Sequence, residues 1–80
     1  MKQIAFTATA ARQWIKLAGD VRRRINGKLT VFAKTGQGDV KRLKGRAGTR
    51  LRIGDHRVIF YVAGDKIIVV AVGHRREIYD

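Results

Sequence analysis

The chain has 80 residues, 45% of them apolar, and its 18 lysines and arginines against 6 acids give a net charge of +12. That length supports a single domain, residues 1–80, with a modest core, and the apolar share rules out a disordered basic tail. The absence of cysteine and the presence of only His56 and His74 argue against disulfides and a zinc site, while no apolar run nears the roughly 20 residues that span a bilayer. The start, MKQIAFTATAARQW, lacks the apolar stretch of a signal peptide, so the expectation is a cytoplasmic protein with no membrane, metal or cofactor.

Residues 2–8 place Ile4 and Phe6 two apart, the period of a strand. Thr9 can cap a helix from Ala10 with Trp14, Ile15 and Leu17 as its apolar stripe, ended by Gly19. Asp20 can cap a second helix, in which Val21, Ile25, Leu29 and Phe32 share one face. Residues 35–39, TGQGD, read as a loop, and their two glycines lack the rest of a nucleotide-binding fingerprint. Val40 and Leu43 anchor a short irregular or one-turn helical piece.

Three strands follow. In residues 49–53 the side chains of Leu51 and Ile53 fall on one face and Arg50 and Arg52 on the other. Gly54-Asp55 turns the chain into residues 56–62, with Arg57, Ile59 and Tyr61 on one face. Gly64-Asp65 makes a second tight turn, residues 66–72 are apolar on both faces as a central strand requires, and Gly73 breaks that strand. The order is β-α-α-β-β-β, an α+β fold with a helical hairpin packed on a largely antiparallel four-stranded sheet. Trp14, Phe6, Phe32, Phe60 and Ile78 read as core.

The charge is uneven. Residues 41–57 hold seven lysines and arginines against Asp55 alone, which points to a polyanionic partner, nucleic acid first, an acidic protein second and an anionic membrane third. The alternation turns Arg50 and Arg52 away from the core, the hairpin brings Arg57 beside them, and Arg75 lies just past the last strand. A sheet face carrying several guanidiniums suits phosphate, because the planar fork matches its oxygens and never loses its charge. Lys41, Lys44, Arg46, Arg52, His74 and Arg76 are the surrounding candidates for RNA or phosphate contact; the plain reading of Arg52 and Arg76 is a solvated strand or tail position. Tyr79, near the end of a polar tail, is either a docking anchor or a ring on which a base stacks. His74 is either a surface group or a proton carrier.

The stretch LKGRAGTRLRIGDHRVIFYVAGDKIIVVAVGHRREIYD, residues 43–80, resembles the C-terminal half of RelE-type toxins in the RelE/ParE toxin–antitoxin superfamily. The likeness lies in the LKG entry, the RLR-GD-RVI-Y hairpin, the IIVV-VGHR strand and the REIY end; the FT-TA strand and two basic helices extend it over the whole chain. The resemblance implies a compact fold like that of microbial ribonucleases. It also implies a metal-independent endoribonuclease that cuts mRNA in the ribosomal A site, inhibits translation and is held by a cognate acidic antitoxin. By position, Arg50 matches a basic residue near the attacking 2′-hydroxyl and Arg57 the arginine that stabilises phosphate charge. Arg75 matches the arginine proposed as acid for the leaving oxygen, and Tyr79 the tyrosine that stacks on or orients the nucleotide or acts as base. The family pattern often carries a basic residue where this chain has Gly48, a place that Lys44 or Arg46 would have to fill. The alternative in the same superfamily is a ParE-like inhibitor of DNA gyrase that performs no chemistry.

Overall fold

The computed structural model describes residues 1–45 and 47–78. In chain order they form β1 (Gln3–Phe6), α1 (Ala8–Ile15), α2 (Gly19–Thr35), β2 (Val40–Arg42), β3 (Thr49–Ile53), β4 (His56–Ala63) and β5 (Lys66–His74). The sheet has five strands in the order β1-β5-β4-β3-β2. Only β1 and β5 run parallel; the other pairs are antiparallel. The β-α-α-β-β-β order expected from sequence therefore gains one strand. Val40–Arg42 is an exposed three-residue edge strand laid against Thr49–Leu51, not a helical piece. Charged side chains on a short edge blunt it against pairing with other chains, and they also erase the apolar alternation that would have announced it.

Both helices cover one sheet face. Ile25, Leu29 and Ala33 of α2 and Ala10 of α1 pack on Leu51, Ile53, Val58, Phe60, Ile67, Val69 and Val72. Phe60 meets Phe32 nearly edge-on at 5.1 Å, an arrangement that adds about 0.5–1.5 kcal/mol to the area buried. Helix α1 begins two residues earlier than the spacing suggested, because Thr7 caps it by accepting the Ala10 N–H at 3.2 Å. Its inward residue is Ala10, whereas Ile15 is 70% exposed. Helix α2 starts at Gly19 with Ala18 as its N-cap, so Asp20 lies in the first turn, where a carboxylate still favours the helix dipole. Gly36, at φ +75°, closes it by donating its N–H to the Phe32 carbonyl.

Strand β5 continues through Gly73 to His74. Its register against β4 shifts after Val69, leaving Val70 extra, so Ile67, Val69 and Val72 all reach the core despite the uneven spacing. Beyond Phe6, α1 replaces β1 at the β5 edge, and Gln13 accepts the Val72 N–H at 2.9 Å. A backbone donor at a sheet edge is thus satisfied by a side chain. No helix among the described residues is long and apolar enough to cross a membrane.

Candidate nucleic-acid interface

The face turned away from the helices is basic. Register places Lys41, Arg50 and Ile59 side by side across β2, β3 and β4, and Arg52 opposite Arg57 across β3 and β4. Directly opposed residues of an antiparallel pair share a face, so Lys41, Arg50, Arg52 and Arg57 converge there, as the alternation in TRLRI required. Two of these pairs, Lys41–Arg50 and Arg52–Arg57, oppose like charges, which costs stability. A bound polyanion offsets that cost, and a face built this way is suited to one.

The arginines are not equivalent. Arg52 is exposed and tied to Asp39: its Nε lies 2.8 Å from Oδ2, and its backbone N–H donates to the Asp39 carbonyl at 2.9 Å. That pair braces the loop ahead of β2. Arg50 and Arg57 are half-buried, with their Nε atoms out of contact with solvent. Between them on the same face Ile59 is only 3% exposed, as happens when arginine stems lie over an aliphatic neighbour and leave their heads outward. The apolar pad under a charged face was not evident in the sequence; its one signal is an isoleucine on the strand face that carries the arginines.

Arg75 stands at the rim. Its N–H donates to the Asp55 carbonyl at 2.8 Å, and its Nε is 3.9 Å from an Asp55 carboxylate oxygen. The tail just after β5 is thereby held to the β3–β4 turn, two residues from the Arg57–Gly73 row. Asp39 and Asp55, partners that sequence reasoning passed over, brace Arg52 and Arg75. Lys44 and Arg76 are exposed at the β2–β3 connection and in the tail. Arg46 and Tyr79 lie outside the described residues.

The histidines sit apart from the arginines. His56 pairs with Ile53 and with His74 on the helical side of the sheet, ring centroids 5.5 Å apart. His74 Nδ1 accepts the Arg76 N–H at 3.1 Å. Burial, then repulsion from His74 and Arg24, holds the His56 pKa below the usual histidine value. These rings line a cleft of about 480 Å³ with Gln13, Lys16, Val21 and Glu77. That cleft is at the end of the sheet under the helices, whereas a polynucleotide needs an open charged surface, which is the other face.

Gly48, where the family pattern often has a basic residue, has φ +120°, and a Cβ there would stand 3.3 Å from the Phe60 carbonyl oxygen. The backbone at this position favours glycine, so local conformation accounts for the missing cation.

Comparison with known proteins agrees with the fold. The family model described as ParE toxin of type II toxin-antitoxin system, parDE, matches residues 4–79. The RelE chain of the RelB–RelE antitoxin–toxin complex from Methanococcus jannaschii is 30% identical, with 95% of each chain covered and a TM-score of 0.77. The intact RelBE complex of E. coli is 22% identical, with 92% and 96% covered and a TM-score of 0.72. The YoeB dimer of Staphylococcus aureus is 19% identical, with 92% and 97% covered and a TM-score of 0.76. A search of curated proteins finds no match. A family match over nearly the whole length, on a fold shared with RelE and YoeB toxins, places this chain in the RelE/ParE superfamily as a toxin of the type II toxin–antitoxin class.

Proposed function

We propose that this toxin is a metal-independent endoribonuclease that cleaves mRNA in the ribosomal A site and so inhibits translation. The observation that carries the reading is the gathering of Arg50 and Arg57, both half-buried, with Lys41 and Arg52 on one open sheet face, and Arg75 at its rim. In the reaction the 2′-hydroxyl of one nucleotide gives up its proton to water as its oxygen attacks the phosphorus that links it to the next. The bond to the 5′-oxygen breaks and that oxygen takes up a proton from water, leaving a cyclic phosphate on one fragment and a 5′-hydroxyl on the other. Negative charge grows on the phosphoryl oxygens in the transition state, and fixed guanidiniums stabilise it most where water is excluded. Arg57 is the principal stabiliser, Arg50 stands toward the attacking hydroxyl, and Arg75 toward the leaving oxygen. Because an arginine stays protonated across the physiological range, Arg75 acts mainly through its charge. Tyr79 supplies a ring on which the nucleotide stacks. Lys41, Lys44, Arg46, Arg52 and Arg76 make up the surrounding phosphate contacts, whereas His74, on the helical side of the sheet, stands apart from them; the setting is the cytoplasm.

The natural partner, on this reading, is a cognate acidic antitoxin whose amphipathic segment covers the basic face and folds as it binds. Relatives of this fold are known in complex with antitoxins, among them RelB–RelE of M. jannaschii and YoeB–YefM of S. aureus. The match to the ParE family model favours a second reading, inhibition of DNA gyrase without chemistry. Induction followed by primer extension on cellular mRNA separates the two. New 5′ ends at fixed codon positions support cleavage; DNA damage with intact mRNA refutes it and supports the gyrase reading.

A further inference from the structure

The arginine face carries a second buried isoleucine. Ile78 is 7% exposed and stands outside the main core cluster, although it ends a run of exposed residues, Arg75, Arg76 and Glu77. Its seat is Gly73, the residue directly opposite Arg57. A Cβ on Gly73 would stand 3.1 Å from Ile78 Cγ1 and 3.4 Å from Cδ1. Gly73 does not have a positive φ, so backbone conformation does not require glycine there. What the missing side chain provides is the space that Ile78 fills.

Between seat and anchor the chain makes a closed turn. The Glu77 and Ile78 N–H groups both donate to the His74 carbonyl, at 2.8 and 3.0 Å, and the Arg76 N–H donates to His74 Nδ1. Arg75 lies inside this turn, its N–H on the Asp55 carbonyl. Hydrogen bonds of an exposed turn open easily in water; a buried apolar side chain at its end is what keeps such a turn closed. We infer that Ile78 is a positioning residue: seated in the gap left by Gly73, it clamps the His74–Ile78 turn and holds Arg75 at the rim of the arginine face beside Arg57. The role of Arg75 in this statement rests on the RNA-cleavage reading above.

Two variants attack the clamp from opposite sides. Ile78→Ala removes the anchor, and Gly73→Ala fills the seat while leaving Ile78 in place. Ile78→Val, which keeps most of the contact, is the conservative control. Amide hydrogen exchange at Glu77 and Ile78 reads the turn itself; single-turnover cleavage of ribosome-bound mRNA reads the chemistry. Both alanine variants are expected to speed exchange at these two amides about tenfold or more while core amides of β5 stay protected. They are expected to lower the maximal single-turnover rate about tenfold or more with the half-saturating concentration within about twofold, because a catalytic group displaced by about 1 Å loses rate rather than binding. Ile78→Val stays near wild type in both readouts. Unchanged exchange in both alanine variants overturns the clamp, and so does loosened exchange with full cleavage rate. Should wild type cut no mRNA, the cleavage reading fails on its own, and the exchange data still decide whether Ile78 closes the turn. If Ile78→Ala does not fold, Gly73→Ala and Ile78→Val carry the same comparison.

Discussion

Arg52 and Arg57 face each other across β3 and β4 and carry the same chemical group, yet removing them should have very different consequences. Arg57 is half-buried with a sheltered Nε, whereas Arg52 is exposed; the Arg52 Nε lies 2.8 Å from Asp39 Oδ2. A preorganised donor aimed at developing phosphate charge in a sheltered site is worth about 100- to 1000-fold in rate, and that is the loss expected for Arg57→Ala. Arg57→Lys keeps the charge but gives up the fork. Losing one charge-assisted hydrogen bond of about 1.5–3 kcal/mol corresponds to roughly 10- to 100-fold. Arg52→Ala removes a screened, paired cation, whose contribution of at most about 1 kcal/mol limits the loss to about fivefold. The assay is single-turnover cleavage of mRNA on purified ribosomes, with thermal melting to show that each variant is folded. Equal losses for Arg52→Ala and Arg57→Ala would refute the reasoning, because the distinction rests on the burial of Arg57 and the exposure of Arg52; so would full activity in Arg57→Lys.

Other consequences are independent of catalysis. Gly27 sits inside α2 with nothing within 4 Å of where a Cβ would be. Gly27→Ala should therefore raise stability by about 0.5–1 kcal/mol in a urea titration, and a lower midpoint would contradict it. Gly48→Arg would add the missing cation at a positive φ and 3.3 Å from a carbonyl oxygen. It should cost about 1–3 kcal/mol of stability and bring no gain in cleavage rate; a faster, equally stable variant would show that the loop adapts. The lowered pKa of His56, caused first by burial and then by His74 and Arg24, with Asp55 and Asp20 opposing, makes stability depend on pH. As pH falls below about 6.5 the unfolded chain takes up this proton before the folded one does, so stability drops on acidification and is fully present above that value. Urea midpoints at pH 7.5 and 5.5 should differ less for His56→Gln than for wild type, and equal differences would remove His56 from the account.

Much of this was written in residue order. The alternation in Leu51, Arg52 and Ile53 and the two Gly-Asp turns, whose glycines have φ +59° and +62°, fixed the β3–β4–β5 meander and the side on which the arginines lie. What stayed hidden depends on contacts distant in the chain. Strand β2 escaped notice because an edge strand has no buried face to create a pattern. The extra residue Val70 breaks the period of two within β5, so its core positions cannot be counted off. Thr7 rather than Thr9 caps α1 because β1 ends at Phe6, where the chain must leave the sheet. The pairing of Arg52 was illegible because its partner, Asp39, lies 13 residues before it.

The parallel pairing of β1 with β5 has a consequence for timing. Strand β5 is the bridge between β1 and the β4–β3–β2 hairpins, and it is made after every strand it joins. Until residues 66–74 have left the exit tunnel, the nascent chain holds two fragments of sheet with no common partner, and long-range pairing of this kind closes slowly. For a protein proposed to attack ribosomes, the sheet that carries the arginine face is therefore not whole until β5 joins its two parts.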